Sequence, residues 1–282
     1  MDVPVLILGC GFTGIAVARR LAQRGIRVLA TSRNPERLAQ RVGAGIAVAR
    51  LEVAEAATLA EVTARVEPGV RVLHSIPVIE SGGARYDPTP ELLDALGRRP
   101  ARVIYLSTTG VYGATFAVNE HTAAAPCSEH GRLRLEAERA VEAGPCSSLI
   151  LRPAAIYGPG RGVHESLRRG RFRLAGDGSN IVSRIHVDDL AAVADAALFS
   201  DLIGTYPVAD EAPCSSAEMA RFCAGLLSLP LPEPVDRAAV HHTRRANRRV
   251  DGRAIFRLLG VRLRHPSYRT GVPAALAADK EG

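Results

Sequence analysis

A chain of 282 residues is long enough for one large α/β domain, or for a large and a smaller lobe. Its 47% hydrophobic and 23% charged residues allow a sizeable core and exclude wholesale disorder. The net charge of +7 comes almost entirely from arginines spread along the chain, since Lys280 is the one lysine, and Trp is absent. This excludes a clustered nucleic-acid surface and leaves only a bias toward anionic ligands such as a phosphorylated cofactor.

In chain order, residues 3–8 form a continuous apolar run, the signature of a strand buried on both faces. A helix is predicted over 14–24, with Gly25 just past its end. A strand follows at 27–30, then a helix at 35–41 with Pro35 in its first turn, and a weaker strand at 45–51. Further helices are predicted at 58–66, 91–96 and 129–143, and strands at 70–75, 103–107 and 148–151. Repeated strand–helix units of this length imply a doubly wound parallel sheet covered on both faces, a Rossmann-type α/β fold. After Pro153 the alternation breaks up; a helix at 188–198 and proline-rich turns at 230–234 remain. The expected organisation is a dinucleotide-binding part over 1–160 and a smaller C-terminal substrate lobe over 161–282, interleaved in one compact unit.

Five scattered cysteines, with no CxxC pair, predict free thiols and no zinc site. With no signal-peptide pattern and no membrane-spanning stretch, the expected location is cytoplasmic. No metal site is expected: His186, Asp188 and Asp189 are read as capping a helix that starts near Leu190 and tying the two parts together. His241-His242 with Arg244-Arg245 reads as a solvated basic loop.

Gly9-Cys10-Gly11-Phe12-Thr13-Gly14 is a GxGxxG between a buried strand and an amphipathic helix. In that position the first glycine makes the tight turn, the second lets backbone approach a pyrophosphate, and the third allows close helix–strand packing. The second strand then runs into Thr31-Ser32-Arg33, with no acidic residue between Ile26 and Pro35 to accept from a ribose 2′-OH. A hydroxyl and a guanidinium suit a 2′-phosphate, so NADP is expected over NAD.

Three later segments carry a family resemblance. Ser107-Thr108-Thr109-Gly110-Val111-Tyr112-Gly113, the run from Leu151-Arg152-Pro153 to Tyr157-Gly158-Pro159-Gly160, and Arg184-Ile185-His186-Val187-Asp188-Asp189-Leu190 resemble motifs of the extended short-chain dehydrogenase/reductases, the NAD-dependent epimerase/dehydratase group. The closing segment from Asn247 to Arg269 is similar as well. The resemblance implies that Ser107 and Pro153, beside Gly9, Gly11, Phe12, Thr13, Gly14, Ser32 and Arg33, contact the cofactor. It also implies catalysis by a Tyr-x-x-x-Lys pair with a hydroxyl at the end of the fifth strand.

That pair is replaced. His130 stands at the Tyr position and Arg134 at the Lys position, while Thr108 keeps the hydroxyl. The i, i+4 spacing puts His130 and Arg134 on one helix face. In one reading Arg134 holds the ribose and His130, with a reference pKa of about 6.5, moves the proton. In the other the pair has decayed and both side chains face solvent. Thr109-Gly110 after Thr108 departs from the dehydratase Asp-Glu, and Val182 replaces the arginine with which the family's epimerases grip a substrate diphosphate. The pattern resembles atypical members with a remodelled site.

Two functions follow: an NADP(H)-dependent oxidoreductase or epimerase on a small polar molecule, or a non-catalytic NADP(H)-binding sensor. The expected partners are a small-molecule substrate and at most a second copy of the chain (monomer or homodimer), with no nucleic acid and no membrane.

Overall fold

The computed structural model describes residues 4–240 and 246–281; the basic 241–245 stretch lies outside them. Seven parallel strands make the central sheet: β1 Val5–Leu8, β2 Val28–Ser32, β3 Ala47–Arg50, β4 Val70–His74, β5 Pro100–Leu106, β6 Ser147–Pro153 and β7 Gly204–Val208. Their spatial order is β7-β6-β5-β4-β1-β2-β3. The order reverses at β1, so the carboxyl end of β1 opens a crevice between β2 and β4, the place where such sheets bind ligands.

Helices cover both faces. On one side lie α1 (Phe12–Gln23), α2 (Pro35–Val42) and α7 (Val187–Leu198); on the other lie α3 (Ala56–Ala64), α4 (Thr89–Leu96) and α5 (Glu129–Glu142). Helix α1 buries Ile15, Val17, Ala18 and Leu21 against β1 and α7. Its Arg20 and Arg24 both reach the buried Asp195 of α7, Arg20 Nε at 2.8 Å, which fixes the two helices side by side. Helix α2 starts where expected because the Asn34 side chain accepts from Arg37 N at 2.9 Å and Pro35 needs no N–H there.

Helix α9 (Arg253–Leu259) joins the first face, burying Ile255 and Phe256 in the core with α7, while α6 (Val163–Arg168), α8 (Ser216–Leu227) and α10 (Tyr268–Glu281) form a smaller layer at the carboxyl edge. Their apolar cluster is built from Tyr157, Phe172, Met219, Cys223 and Tyr268. The second part of the chain also returns to the main sheet, through α7 and β7. Sequence reading missed β7 because Gly204-Thr205-Tyr206-Pro207-Val208 carries a proline. The strand forms at the sheet's edge, where the lost N–H is tolerated.

One expected cap is corrected. Helix α7 begins at Val187, not near Leu190, and its cap is His186, whose Nδ1 accepts from Asp188 N at 3.2 Å. Asp189 instead accepts from the backbone N–H groups of Arg264 and His265, at 2.7 and 3.0 Å, and so ties the closing segment to α7. The five cysteines are free. Among the described residues no helix is long and apolar enough to cross a membrane.

Candidate active site

The glycine turn sits at the crevice, and each glycine has a distinct steric reason. Gly9 has φ +77°, and a Cβ there would lie 2.5 Å from Ile76 Cγ1. Its N–H donates to Thr31 Oγ1 at 3.1 Å, and Thr31 Oγ1 donates on to Ile7 O at 3.0 Å. A Cβ on Gly14 would meet Ile7 Cγ2 at 3.2 Å and Cys10 Sγ at 3.3 Å, so only glycine lets α1 lie this close to β1. Gly11 differs: a Cβ would find nothing nearer than Gly9 O at 4.0 Å, because that face is open to the cleft. Helix α1 has no side-chain cap, so the N–H groups of Phe12, Thr13 and Gly14 have no capping acceptor. Uncapped first-turn donors beside bare backbone are a cradle for phosphate, and the residues present fit a dinucleotide.

The cleft has a volume of ≈ 660 Å³ and is lined by residues 9–11, 31–33, 51–54, 75–80 and 86. Ser32 and Arg33 stand on its rim. The Ser32 hydroxyl accepts from Asn34 N at 3.2 Å, and Arg33 is exposed, with no hydrogen bond or ion pair recorded among the described residues. Burial pushes the Cys10 thiol up to about 12, so it is a neutral wall of the cleft and not a nucleophile. Sequence reading missed Glu52, Val53 and the 75–80 segment as cleft walls. The available signal was their position directly after β3 and β4, at the carboxyl edge of the sheet.

The three residues singled out for chemistry fall into two environments. Thr108 caps the short 3₁₀ turn Thr109–Tyr112, its Oγ1 accepting from Gly110 N at 3.0 Å. That leaves its O–H free to donate outward. His130 is half-buried in the first turn of α5, which is fixed by Ser128 Oγ accepting from Gly131 N at 3.1 Å. This turn packs closely on the Thr108 segment: a Cβ on Gly131 would lie 3.1 Å from Gly110 O. The fold therefore brings the His130 and Thr108 segments together.

Arg134 is engaged elsewhere. It is 4% exposed, so the expectation that a decayed pair would leave it facing solvent is corrected. Its Nη1 donates to Ile76 O at 3.0 Å and to Asp87 Oδ2 at 2.9 Å, and its Nη2 donates to Leu106 O. Its guanidinium lies over the Tyr105 ring, 4.5 Å from the centroid, and Tyr105 O–H donates to the same Asp87 oxygen at 2.9 Å. The other Asp87 oxygen accepts from Thr89 N at 3.1 Å and from the Thr89 hydroxyl. That hydroxyl lies 2.9 Å from His74 Nε2, while His74 Nδ1 accepts from Ile76 N at 3.3 Å, so Nε2 is the protonated nitrogen and the donor. Complete burial lowers His74 to about 3, which keeps it neutral. Arg134 thus clamps the ends of β4 and β5 from behind the cleft. Sequence reading missed His74, Asp87, Thr89 and Tyr105 because partners so distant along the chain leave no spacing pattern.

Ser107 directly follows β5 and Pro153 ends β6, both at the carboxyl edge of the sheet. The Ser107 hydroxyl donates to Glu138, which also accepts from Arg152 Nε at 3.0 Å and Nη2 at 2.6 Å. Pro153 closes β6 opposite Val208. Phe12 faces the smaller layer, with the Arg161 guanidinium 5.1 Å from its ring centroid, and Thr13 is buried beneath it. Tyr112 and Tyr157 are 1% and 3% exposed, and burial raises both above the ordinary tyrosine value, so neither is a ready proton donor. His186, Asp188 and His265 lie close enough together to ligate an ion; His186 Nδ1 is the α7 cap acceptor, and its Nε2 is buried without a partner among the described residues.

A family model described as the NAD dependent epimerase/dehydratase family matches residues 5–204. The chain belongs to that family. Among curated proteins it is 31% identical over 152 residues to a 3-diazoavenalumate denitrifying reductase of Streptomyces sp, covering 49% of this chain and 50% of that protein. It is 32% identical over 127 residues to a dTDP-6-deoxy-L-talose 4-dehydrogenase (NAD(P)(+)) of Kitasatospora kifunensis, covering 42% and 39%. The chain thus matches half or less of the length of these relatives. A solved structure of a functionally unknown conserved protein from Silicibacter pomeroyi DSS superposes with TM-score 0.80 at 34% identity, over 98% of this chain and 99% of that one.

Proposed function

We propose that this protein is an NADP(H)-dependent oxidoreductase with a remodelled proton-transfer group, acting on a small polar molecule. The observation that carries the reading is the uncapped first turn of α1 behind Gly9 and Gly11, opening onto a cleft rimmed by Ser32 and Arg33. Gly9, Gly11, Phe12, Thr13 and Gly14 would hold the pyrophosphate, and Ser32 and Arg33 a 2′-phosphate. A bound nicotinamide dinucleotide supplies the hydride donor or acceptor. Thr108 O–H, with its oxygen already anchored by Gly110 N, donates to the substrate oxygen and polarises it. His130 carries the proton to or from that oxygen. Arg134 holds the two strand ends on which Thr108 and the 75–80 wall depend, and is a positioning residue. The relatives that are a reductase and an NAD(P)-dependent dehydrogenase support this reaction class.

The engagement of Arg134 with Asp87 favours a second reading, since it removes the cation that would otherwise act beside His130. In that reading the protein binds NADP(H) without turnover. A carbonyl panel that consumes no NADPH, despite cofactor binding, would select it.

The cofactor preference is tested by calorimetry with NADPH and NADH on wild type and Arg33→Ala. Wild type is expected to bind NADPH more tightly. The substitution should weaken NADPH by about tenfold, the worth of one charge-assisted contact, and leave NADH unchanged. A preference for NADH that the substitution does not alter contradicts the NADP assignment.

A further inference from the structure

We infer that the pocket between the 155–184 segment and α8 binds a small organic acid, a carboxylate on an apolar body, and that Arg184 receives the carboxylate. The inference rests on the oxidoreductase reading, since it names that reaction's substrate class. The pocket has a volume of ≈ 270 Å³ and shares no lining residue with the dinucleotide cleft. Its wall begins at Ala155, two residues beyond Pro153 at the end of β6.

The charge on its wall is one-sided. Arg161, Arg173 and Arg184 line it, and no carboxylate does. Arg184 is 6% exposed, and its recorded side-chain partners are neutral: Val182 O at 2.8 Å and Cys214 Sγ at 3.2 Å. Among the described residues none of the three arginines has an ion pair within 4.0 Å. A buried guanidinium without a counter-charge is costly, and an incoming anion relieves that cost. The carboxyl that Arg184 influences, Asp210, is a poor substitute. Its Oδ1 accepts from Ala212 N at 3.2 Å, its Oδ2 has no partner among the described residues, and burial raises it to about 7, which weakens its hold as a counter-charge.

A second observation points to a ligand. His164 lines the pocket and is 1% exposed, yet neither ring nitrogen has a hydrogen-bond partner among the described residues. The Gly158 backbone influences the ring without meeting hydrogen-bond geometry. Buried polar atoms are normally paired, and a ligand that shifts this wall would give the ring a partner.

Size and lining narrow the class. The volume lies just below the ~300–1,000 Å³ of ordinary small-molecule sites, too small for a nucleoside diphosphate. Val163, Phe172, Val182 and Met219 supply apolar surface for the body of the ligand. One buried cation matches one negative charge, and a guanidinium fork takes a carboxylate through two parallel hydrogen bonds. A phosphate dianion would bring two charges to the one arginine that is buried, since Arg161 and Arg173 are exposed.

The test is calorimetry on the full chain, with and without saturating NADPH. The probes are benzoate and 3-phenylpropanoate, their neutral amides, phenyl phosphate and UDP. At least one acid is expected to bind, with its amide weaker by about tenfold or more. Arg184→Met should weaken the acid by about ten- to hundredfold and leave the amide unchanged. Arg161→Gln, at the exposed rim, should weaken the acid by about threefold and keeps the test available if the first variant does not fold. The inference is overturned if neither acid binds, if acid and amide bind alike, if UDP or phenyl phosphate binds more tightly, or if the acid ignores both substitutions. NADPH binding without acid binding defeats this inference alone; acid binding without NADPH binding defeats the oxidoreductase reading alone.

Discussion

Replacing Arg134 with methionine is expected to destabilise the fold by about 3–5 kcal/mol, the usual cost of removing one partner of a buried ion pair. The side chains of Arg134 and Asp87 are 5% and 4% exposed. Methionine would leave Asp87 buried without its cation and would strip Ile76 O and Leu106 O of their donor. Both carbonyls sit at the cleft edge, one after β4 and one at the end of β5, so the loss should loosen the cleft wall as well. Urea denaturation measures the stability change, and a melting temperature lowered by roughly 10 °C should accompany it. Arg134→Lys should recover only part of the loss, because a point charge cannot span acceptors on both sides as a planar fork does. A change below about 1 kcal/mol for the methionine variant contradicts the clamp.

The second large effect concerns chemistry. His130→Phe should lower turnover by about 10²–10⁴-fold in a carbonyl-reduction assay, the ordinary worth of a positioned acid or base. NADPH affinity should stay at the wild-type value, since His130 lies on α5 and not among the cleft walls. Thr108→Val should act in the same direction by removing the hydroxyl donor, with its fold kept by the close approach of Gly131 to Gly110. Neither Tyr112 nor Tyr157 can take over readily, because burial holds both phenols protonated. Undiminished turnover in His130→Phe would assign the proton to another group and remove His130 from the mechanism.

The sheet and its glycine turn were legible because they rest on local rules. A buried parallel strand is a continuous apolar run, and a phosphate turn needs glycines at fixed offsets, as Gly9 and Gly14 show by what a Cβ would strike. Family-like motifs likewise marked where Thr108, His130 and Arg134 fall. What each side chain does there was less legible. The solvent-facing alternative for Arg134 fails because its guanidinium is held by Asp87, 47 positions away, on a loop the periodicity did not mark as polar core. Ser107 is similar: its hydroxyl goes to Glu138 because Arg152 holds that carboxylate beneath it. The small-lobe pocket was invisible for the same reason. In a chain with 36 basic residues, nothing local distinguishes Arg184, buried beside a thiol, from the many arginines on the surface.

The central claim is that the first turn of α1 holds a dinucleotide through bare backbone at Gly11. The direct test is NADPH calorimetry on wild type and Gly11→Val, with thermal melts of both without cofactor. Gly11 has φ −88°, and a Cβ there meets nothing in the protein itself nearer than Gly9 O at 4.0 Å, an ordinary contact. The substitution should therefore leave the melting temperature within about 2 °C while weakening NADPH by about a hundredfold or more, since the added side chain occupies the pyrophosphate's place. Equal NADPH affinity in the two proteins, or no NADPH binding by wild type at millimolar concentration, contradicts the account.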